Sequence, residues 1–242
     1  GVSVRGRPLL YAEFGDPMAL NTTVIFSTVH GDEITPLYIG LQLAHWLKEH
    51  VPNLASTRVV VAPLVNPDGF FSVPKTRMNA RGVDINRNFK TQDWNGTALK
   101  KWKVTYRSNP RRFPGHQPSS EPETQFQEEL IRRFKPQKIL SVHSPLNHLG
   151  YDGPSKVSLS KFPSEYIAEC LKLRKTLNAV STGFFPGSLG NYAGRELGIP
   201  TLTLELPSAD AAKAEQYWKN FSKGIRTMIE FNVPETQFSA GS

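Results

Sequence analysis

Two histidines and two glutamates in this chain are of types, and at positions, that could do chemistry. His30 and Glu33 stand three apart in His30-Gly31-Asp32-Glu33. Zinc takes imidazole nitrogens and carboxylate oxygens, and its catalytic sites keep three protein ligands and an open position for water. A His and a Glu on a turn leaving a strand can aim at one point, and Gly31 would let the backbone turn tightly between them. Such a pair by itself reads equally as a cap or a surface pair. His143 ends the apolar run 138–142, where a lone histidine also serves as a hydrogen-bonded core residue. Glu205 stands inside Thr201-Leu202-Thr203-Leu204-Glu205-Leu206-Pro207. Buried Glu is rare unless paired or metal-bound, and the plain alternative is an outward-facing Glu on a half-exposed strand. The set supplies two imidazoles, one ligand carboxylate and one spare carboxylate. Metal-assisted amide hydrolysis needs that inventory: zinc lowers the pKa of water to about 7, and the spare carboxylate takes the proton.

The elements that must position these residues follow from hydrophobic patterning. Residues 24–29 form a buried strand candidate ending at His30, and 35–50 a helix whose Leu37, Ile39, Leu41, Leu43, Ala44 and Leu47 make a broad apolar face stopped by Pro52. Residues 58–64 read as a second strand running into the turn Asn66-Pro67-Asp68-Gly69. The polar stretch 70–118 is too long for an idle connector, and such loops are usually functional or disordered. Ser120-Glu121-Pro122-Glu123 opens a helix to Phe134, with Ser120 as its cap. A third strand over 138–142 ends at His143, and 163–177, 201–206 and 210–231 follow as helix, strand and helix. Strands alternating with helices predict one α/β domain over 1–242, three-layer α/β/α around a mixed, mostly parallel sheet. Ligands of such sheets bind beyond the carboxyl ends of the strands, where His30 and His143 fall.

Composition narrows the classes. A chain of 242 residues with 38% hydrophobic content can bury one large core, and no stretch approaches the ~18–20 apolar residues of a membrane span. Cys170 is the only cysteine, so an intrachain disulfide and a Cys-rich zinc finger are excluded, and a metal must sit on His and carboxylates. The net charge of +8 attracts anions in general, but the cations are scattered and no nucleic-acid-binding signature accompanies them. Nucleic acid is therefore not an expected partner. The basic charge and the absence of a starting Met favour a processed protein of the bacterial envelope, with the cytoplasm as the alternative.

Five strings, in order, make the chain recognisable: His30-Gly31-Asp32-Glu33, Asn66-Pro67-Asp68-Gly69, Arg81-Gly82-Val83-Asp84-Ile85-Asn86-Arg87-Asn88-Phe89, Ser141-Val142-His143 and Leu204-Glu205-Leu206-Pro207. The chain resembles the zinc carboxypeptidase family from about residue 22 to 207. The resemblance implies the family's fold and one zinc per chain held by His30, Glu33 and His143, with Glu205 as general base. It implies that Asn86 and Arg87 bind the substrate's terminal carboxylate and that Arg77, nine positions before Asn86, polarises the scissile carbonyl. A planar arginine fork matches a carboxylate, and a fixed cation beside a developing oxyanion stabilises the transition state by about 3–4 kcal/mol.

Within the family, Gly6-Arg7-Pro8-Leu9-Leu10, Ser120-Glu121-Pro122-Glu123-Thr124, His143-Ser144-Pro145-Leu146 and Pro186-Gly187-Ser188-Leu189-Gly190-Asn191-Tyr192 are similar to the bacterial murein tripeptide amidases. That likeness implies hydrolysis of the γ-D-glutamyl–meso-diaminopimelate amide in peptidoglycan peptides. Two departures stand out. Ser181-Thr182-Gly183-Phe184-Phe185 offers no counterpart to the mobile Tyr of digestive members, and no acid stands around Leu189-Gly190 to meet a basic substrate side chain. His45 and His50 read as solvated, His148 as a candidate pocket residue, and His116 has no assignment. Zinc deacylases of N-acyl amino acids share His-x-x-Glu…His, but the second and third strings favour a peptidase. A non-catalytic wall-binding module would be expected to lack a ligand or the base, and all four are present.

Overall fold

The computed structural model describes residues 1–50, 56–153, 164, 168 and 185–233. Six strands, β1 (Ala12–Gly15), β2 (Asn21–Ser27), β3 (Thr57–Ala62), β4 (Lys138–His143), β5 (His148–Asp152) and β6 (Thr201–Glu205), form one sheet in the order β1-β3-β2-β4-β6-β5. The four central strands run parallel, and the two edge strands pair antiparallel to them. The helices are α1 (Ile34–Glu49), α2 (Pro67–Phe70), α3 (Leu99–Val104), α4 (Pro122–Phe134) and α5 (Ala214–Glu230).

Alternation along the central strands divides the core in two. Ile25, Val59, Val61, Leu140, Val142, Leu202 and Leu204 face α1 and α5, meeting Ile39, Leu43, Leu47, Phe221, Ile225 and Met228. Val24, Phe26, Val60, Ala62 and Ile139 face the other way, against Phe126, Leu130 and Phe134 of α4 and against Ile85 and Phe89. Strands covered on both faces can carry apolar residues at successive positions, as in Val24-Ile25-Phe26 of β2 and Val59-Val60-Val61-Ala62 of β3. Lys138, the first residue of β4, is wholly buried. Its ammonium donates to Asn21 Oδ1 and, at 2.6 Å, to the Phe231 carbonyl, tying β2 and the end of α5 to β4. Burial pushes that ammonium down to about 7.

Where the residues are described, the predicted strands and helices lie within a few residues of the observed ones, and three details differ. Ser120 does not cap α4: the N-cap is Glu121, while Ser120 Oγ accepts from Asn88 Nδ2 (3.1 Å) and donates to Glu121 Oε1 (2.8 Å). The 70–118 stretch is ordered by short turns at Ile85–Arg87, Trp94–Ala98 and Pro110–Arg112 and by α3. Edge strands β1 and β5 were not expected, being short and half polar. The helix predicted over 163–177 lies outside the described residues, apart from Ser164 and Ala168, which are helical. Pro52, Cys170 and residues 181–184 also lie outside them.

Connections position the chemistry. From β2 the chain crosses through α1 to β3 on one side, whereas β4 lies on the other, so the carboxyl ends of β2 and β4 open onto a topological switch point. Among the described residues no helix is long and apolar enough to cross a membrane.

Candidate active site

His30 lies three residues beyond β2, Glu33 is the N-cap of α1, and His143 is the last residue of β4. All three are buried, and one ligand atom from each lies within 4.8 Å of the others. His30 Nδ1 is 2.7 Å from Glu33 Oε1, His143 Nδ1 is 2.9 Å from Glu33 Oε2, and the two Nδ1 atoms are 3.2 Å apart. Gly31 lies in the turn that Glu33 N closes onto the His30 carbonyl (3.1 Å), but with its φ outside the left-handed region it is not required by that turn. It is required by close packing, because a side chain there would collide with the Gly69 and Phe70 backbone. The His30 loop is thereby pressed onto the Asn66-Pro67-Asp68-Gly69 turn, in which Asn66 Oδ1 accepts from Gly69 N (2.9 Å) and Asn66 Nδ2 donates to the Arg77 carbonyl (3.1 Å).

The far side of each imidazole is occupied. His30 Nε2 lies 3.2 Å from Asp84 Oδ1 and His143 Nε2 2.9 Å from Ser141 Oγ. A proton on each Nε2 leaves both Nδ1 lone pairs pointing inward, the arrangement by which an outer partner orients a metal-ligating histidine. Asp84 does more than hold His30. It is fully buried, its Oδ2 accepts from Arg77 Nε (2.9 Å), and its Oδ1 accepts from the Asn86 amide (3.1 Å). Burial would raise the Asp84 carboxyl, but Arg77 and His30 hold it well below the usual range. Arg77 Nη1 in turn reaches to 3.0 Å from His30 Nδ1 and 3.5 Å from Glu33 Oε1. Asp84 belongs to the third sequence string, whose reading assigns it no role; a carboxylate set directly between the apolar residues Val83 and Ile85 was the available signal.

Asn86 and Arg87 occupy the turn Ile85–Arg87, which the Asp84 side chain caps. Asn86 Oδ1 accepts from Leu189 N (2.8 Å), and Arg87 lies with its guanidinium carbon 4.5 Å from the Phe185 ring centroid. Burial lowers the Arg87 guanidinium to about 10, and its buried Nε has no acceptor among the described residues. Asn88 fastens the following loop, its Nδ2 donating to the Pro114 and Gln117 carbonyls, each at 2.9 Å.

Glu205 ends β6, where the register sets it opposite His143 on one side and His148 on the other. These side chains share a sheet face, so the Glu205 carboxylate stands half-buried beside the His30–Glu33–His143 trio; its Oε2 accepts a long bond from Leu146 N (3.4 Å). Thr35 Oγ1 donates to the Ser208 carbonyl (2.8 Å), which fixes the segment after β6 to the start of α1. All the candidate residues line one cleft of about 450 Å3, together with His148, Arg111 and Arg112. His45 is exposed beside Glu49, His50 stacks on Trp46, and exposed His116 packs against Phe113.

The expectation of no acid near Leu189-Gly190 requires correction. Asp152, at the far end of β5, lines the cleft and packs so tightly on Gly190 that a side chain there would strike its carboxylate. Burial raises the Asp152 carboxyl, with Arg195 opposing. Asp152 is 38 positions from Gly190 in the sequence, so only the antiparallel pairing of β5 on β6 brings it in.

Residues 1–237 match the zinc carboxypeptidase family. The chain belongs to that family. Murein peptide amidase A of Escherichia coli strain K12 is 31% identical over 220 residues, covering 89% of this chain and 83% of that protein. The protein of the same name from Vibrio campbellii is 32% identical over 216 residues, covering 87% and 79%. The crystal structure of the murein-tripeptide amidase from Escherichia coli O157 superposes with a TM-score of 0.68 at 26% identity, covering 97% of this chain and 92% of that one. Carboxypeptidase A from Helicoverpa armigera shares the fold, with a TM-score of 0.69 at 20% identity.

The donor set suits the family's zinc. Two imidazole lone pairs facing each other repel unless a positive charge lies between them, and Glu33 adds a negative one. Burial would raise the Glu33 carboxyl, but His30 and His143 hold it below the carboxylate range. Burial would lower the His143 ring, yet Glu33 and Glu205 raise it. The trio is therefore a buried pocket for a cation, with nitrogen and oxygen donors of the kind zinc prefers.

Proposed function

We propose that this zinc carboxypeptidase-family enzyme hydrolyses the amide between γ-D-glutamate and meso-diaminopimelate in peptidoglycan peptides. The observation that carries the reading is one cleft that combines a metal-ligand trio, a free carboxylate base, a buried arginine anchor and the Asp152 acid. Diaminopimelate presents a carboxylate beside the scissile nitrogen and an ammonium at the end of its side chain, and the relatives named above are murein peptide amidases.

His30, Glu33 and His143 would hold zinc, which when bound polarises a carbonyl and lowers the pKa of water. Arg87 and Asn86 grip the carboxylate next to the scissile bond through charge-assisted hydrogen bonds. Arg77, fixed by Asp84, lies where negative charge grows on the carbonyl oxygen and stabilises it without reorganising. Glu205 takes a proton from the attacking water as the new carbon–oxygen bond forms. It returns that proton to the amine as the carbon–nitrogen bond breaks. Asp152 offers the counter-charge for the ammonium. The bacterial envelope, where an acidic wall polymer meets a chain of net charge +8, is the compartment this reading carries forward.

Asp152 also favours a second reading, removal of a C-terminal lysine from ordinary peptides. Mass spectrometry of L-Ala-γ-D-Glu-meso-diaminopimelate and of an L-peptide ending in lysine separates the two. Release of free diaminopimelate, lost with a zinc chelator and in Glu205→Gln, supports the murein reading. Cleavage of the lysine peptide alone rejects it.

A further inference from the structure

The cleft holds more positive charge than one terminal carboxylate requires. Besides Arg77 and Arg87 it is lined by Arg111 and Arg112, on the turn Pro110–Arg112. That turn is well fixed. Asn109 caps it by accepting from Arg111 N (2.9 Å), and Asp84 N donates to the Phe113 carbonyl (2.8 Å), which joins it to the Arg77–Asp84 network.

The two arginines are in different states. Arg111 is exposed, and its Nη1 donates to Asp32 Oδ2 at 2.7 Å, beside Glu33. Arg112 is half-buried with its guanidinium carbon 5.6 Å from the Tyr106 ring centroid, and among the described residues no carboxylate pairs with it. It is near enough to Arg87 to help lower that guanidinium. A partly desolvated cation next to another cation is unfavourable until an anion joins them. Tyr106 and the Arg111–Asp32 pair hold Arg112 in the cleft against that repulsion.

We propose that Arg112 binds a second substrate carboxylate, the one on the acyl side of the scissile amide, and so selects acidic γ-linked residues. The proposal rests on the murein reading. A glutamate linked through its side chain keeps its α-carboxylate free, four carbon–carbon bonds from the carbonyl under attack. Arg87 and Asn86 are engaged with the leaving residue, and Asp152 meets that residue's far end. Arg112 comes from a separate turn, tethered through Arg111 to the residue next to metal ligand Glu33.

The test compares kcat/KM of the zinc-loaded enzyme on L-Ala-γ-D-Glu-meso-diaminopimelate and on the same peptide with the glutamyl α-carboxylate converted to an amide. Wild type is expected to favour the acid by about 10- to 100-fold, the range a hydrogen bond to a charged group supplies. In Arg112→Gln the ratio should fall to within about threefold of unity, and Arg112→Lys should restore part of it. Zinc content and melting temperature report that each variant is folded. Equal cleavage of acid and amide by wild type, or an undiminished ratio in Arg112→Gln, overturns the proposal. So does discrimination that Arg112→Gln loses only when lysine replaces diaminopimelate, since that would put Arg112 on the leaving side. Cleavage of neither form by wild type rejects the murein reading itself, and the proposal with it.

Discussion

Replacing Asp84 by asparagine removes a charge from a carboxylate that solvent does not reach. Oδ1 accepts from His30 Nε2 and the Asn86 amide, and Oδ2 from Arg77 Nε. An amide cannot satisfy both sides. With its oxygen at the Oδ1 position its NH2 faces Arg77 Nε, and turned over it faces the His30 N–H. In either orientation Arg77, also buried, loses the Asp84 charge, and its ion pairing falls to the longer 3.5 Å contact with Glu33. Removing one partner of a buried ion pair costs about 3–5 kcal/mol. Because Glu33 remains, the lower end applies, and about 3 kcal/mol corresponds to a fall of roughly 6–12 °C in melting temperature for a chain this long. Loss of the partner behind a ligating histidine weakens metal binding by about 10- to 100-fold. The assays are zinc competition against a chromophoric chelator and thermal unfolding of the metal-free protein. Zinc affinity within about threefold of wild type would refute the idea that Asp84 orients His30. An unchanged melting temperature would refute the energetic role of its pair with Arg77.

Glu205→Gln should keep zinc content and KM near wild type while kcat falls by about 10^2- to 10^4-fold, the usual yield of a general base; a smaller loss in steady-state kinetics would assign the proton elsewhere. Asp152→Asn should lower kcat/KM on diaminopimelate peptides more than on analogues whose side chain lacks the ammonium; an equal loss on both would mean that Asp152 supports Gly190 rather than substrate. Burial pushes the Lys138 ammonium down to about 7 in the folded chain, against ~10.4 when unfolded. Between those values the unfolded chain binds a proton that the folded chain lacks, so stability contributed by this residue rises with pH across the window and is flat below it. Lys138→Met should remove that slope, which amounts to about 3 kcal/mol between pH 7 and pH 9.5 as read by urea denaturation; an unchanged slope would show that Lys138 is not its source.

The central strands and α1, α4 and α5 were legible in the sequence because each buries a continuous or periodic apolar surface, and such patterns are local. The five motif strings made the family, the zinc-type donor set and the acid–base inventory legible for the same reason: each is a short run that can be read in place. Edge strands β1 and β5 were missed because half-exposed strands of four and five residues have no apolar run long enough to register. The cap assigned to Ser120 failed because its hydroxyl is engaged by Asn88, a partner 32 positions away.

What only the tertiary structure decided is which side chains share a space. Sheet register set Glu205 opposite His143, the β5–β6 pairing carried Asp152 to Gly190, and the ordered 70–118 stretch brought Asp84 behind His30 and Arg112 beside Arg87. Electrostatic and hydrogen-bonded partners are chosen by distance in space, and a chain folded around a twisted sheet places residues far apart in sequence within a few ångströms. Residue types and local spacing therefore determined what chemistry this protein could do. The sheet and its loops determined which charges meet the substrate.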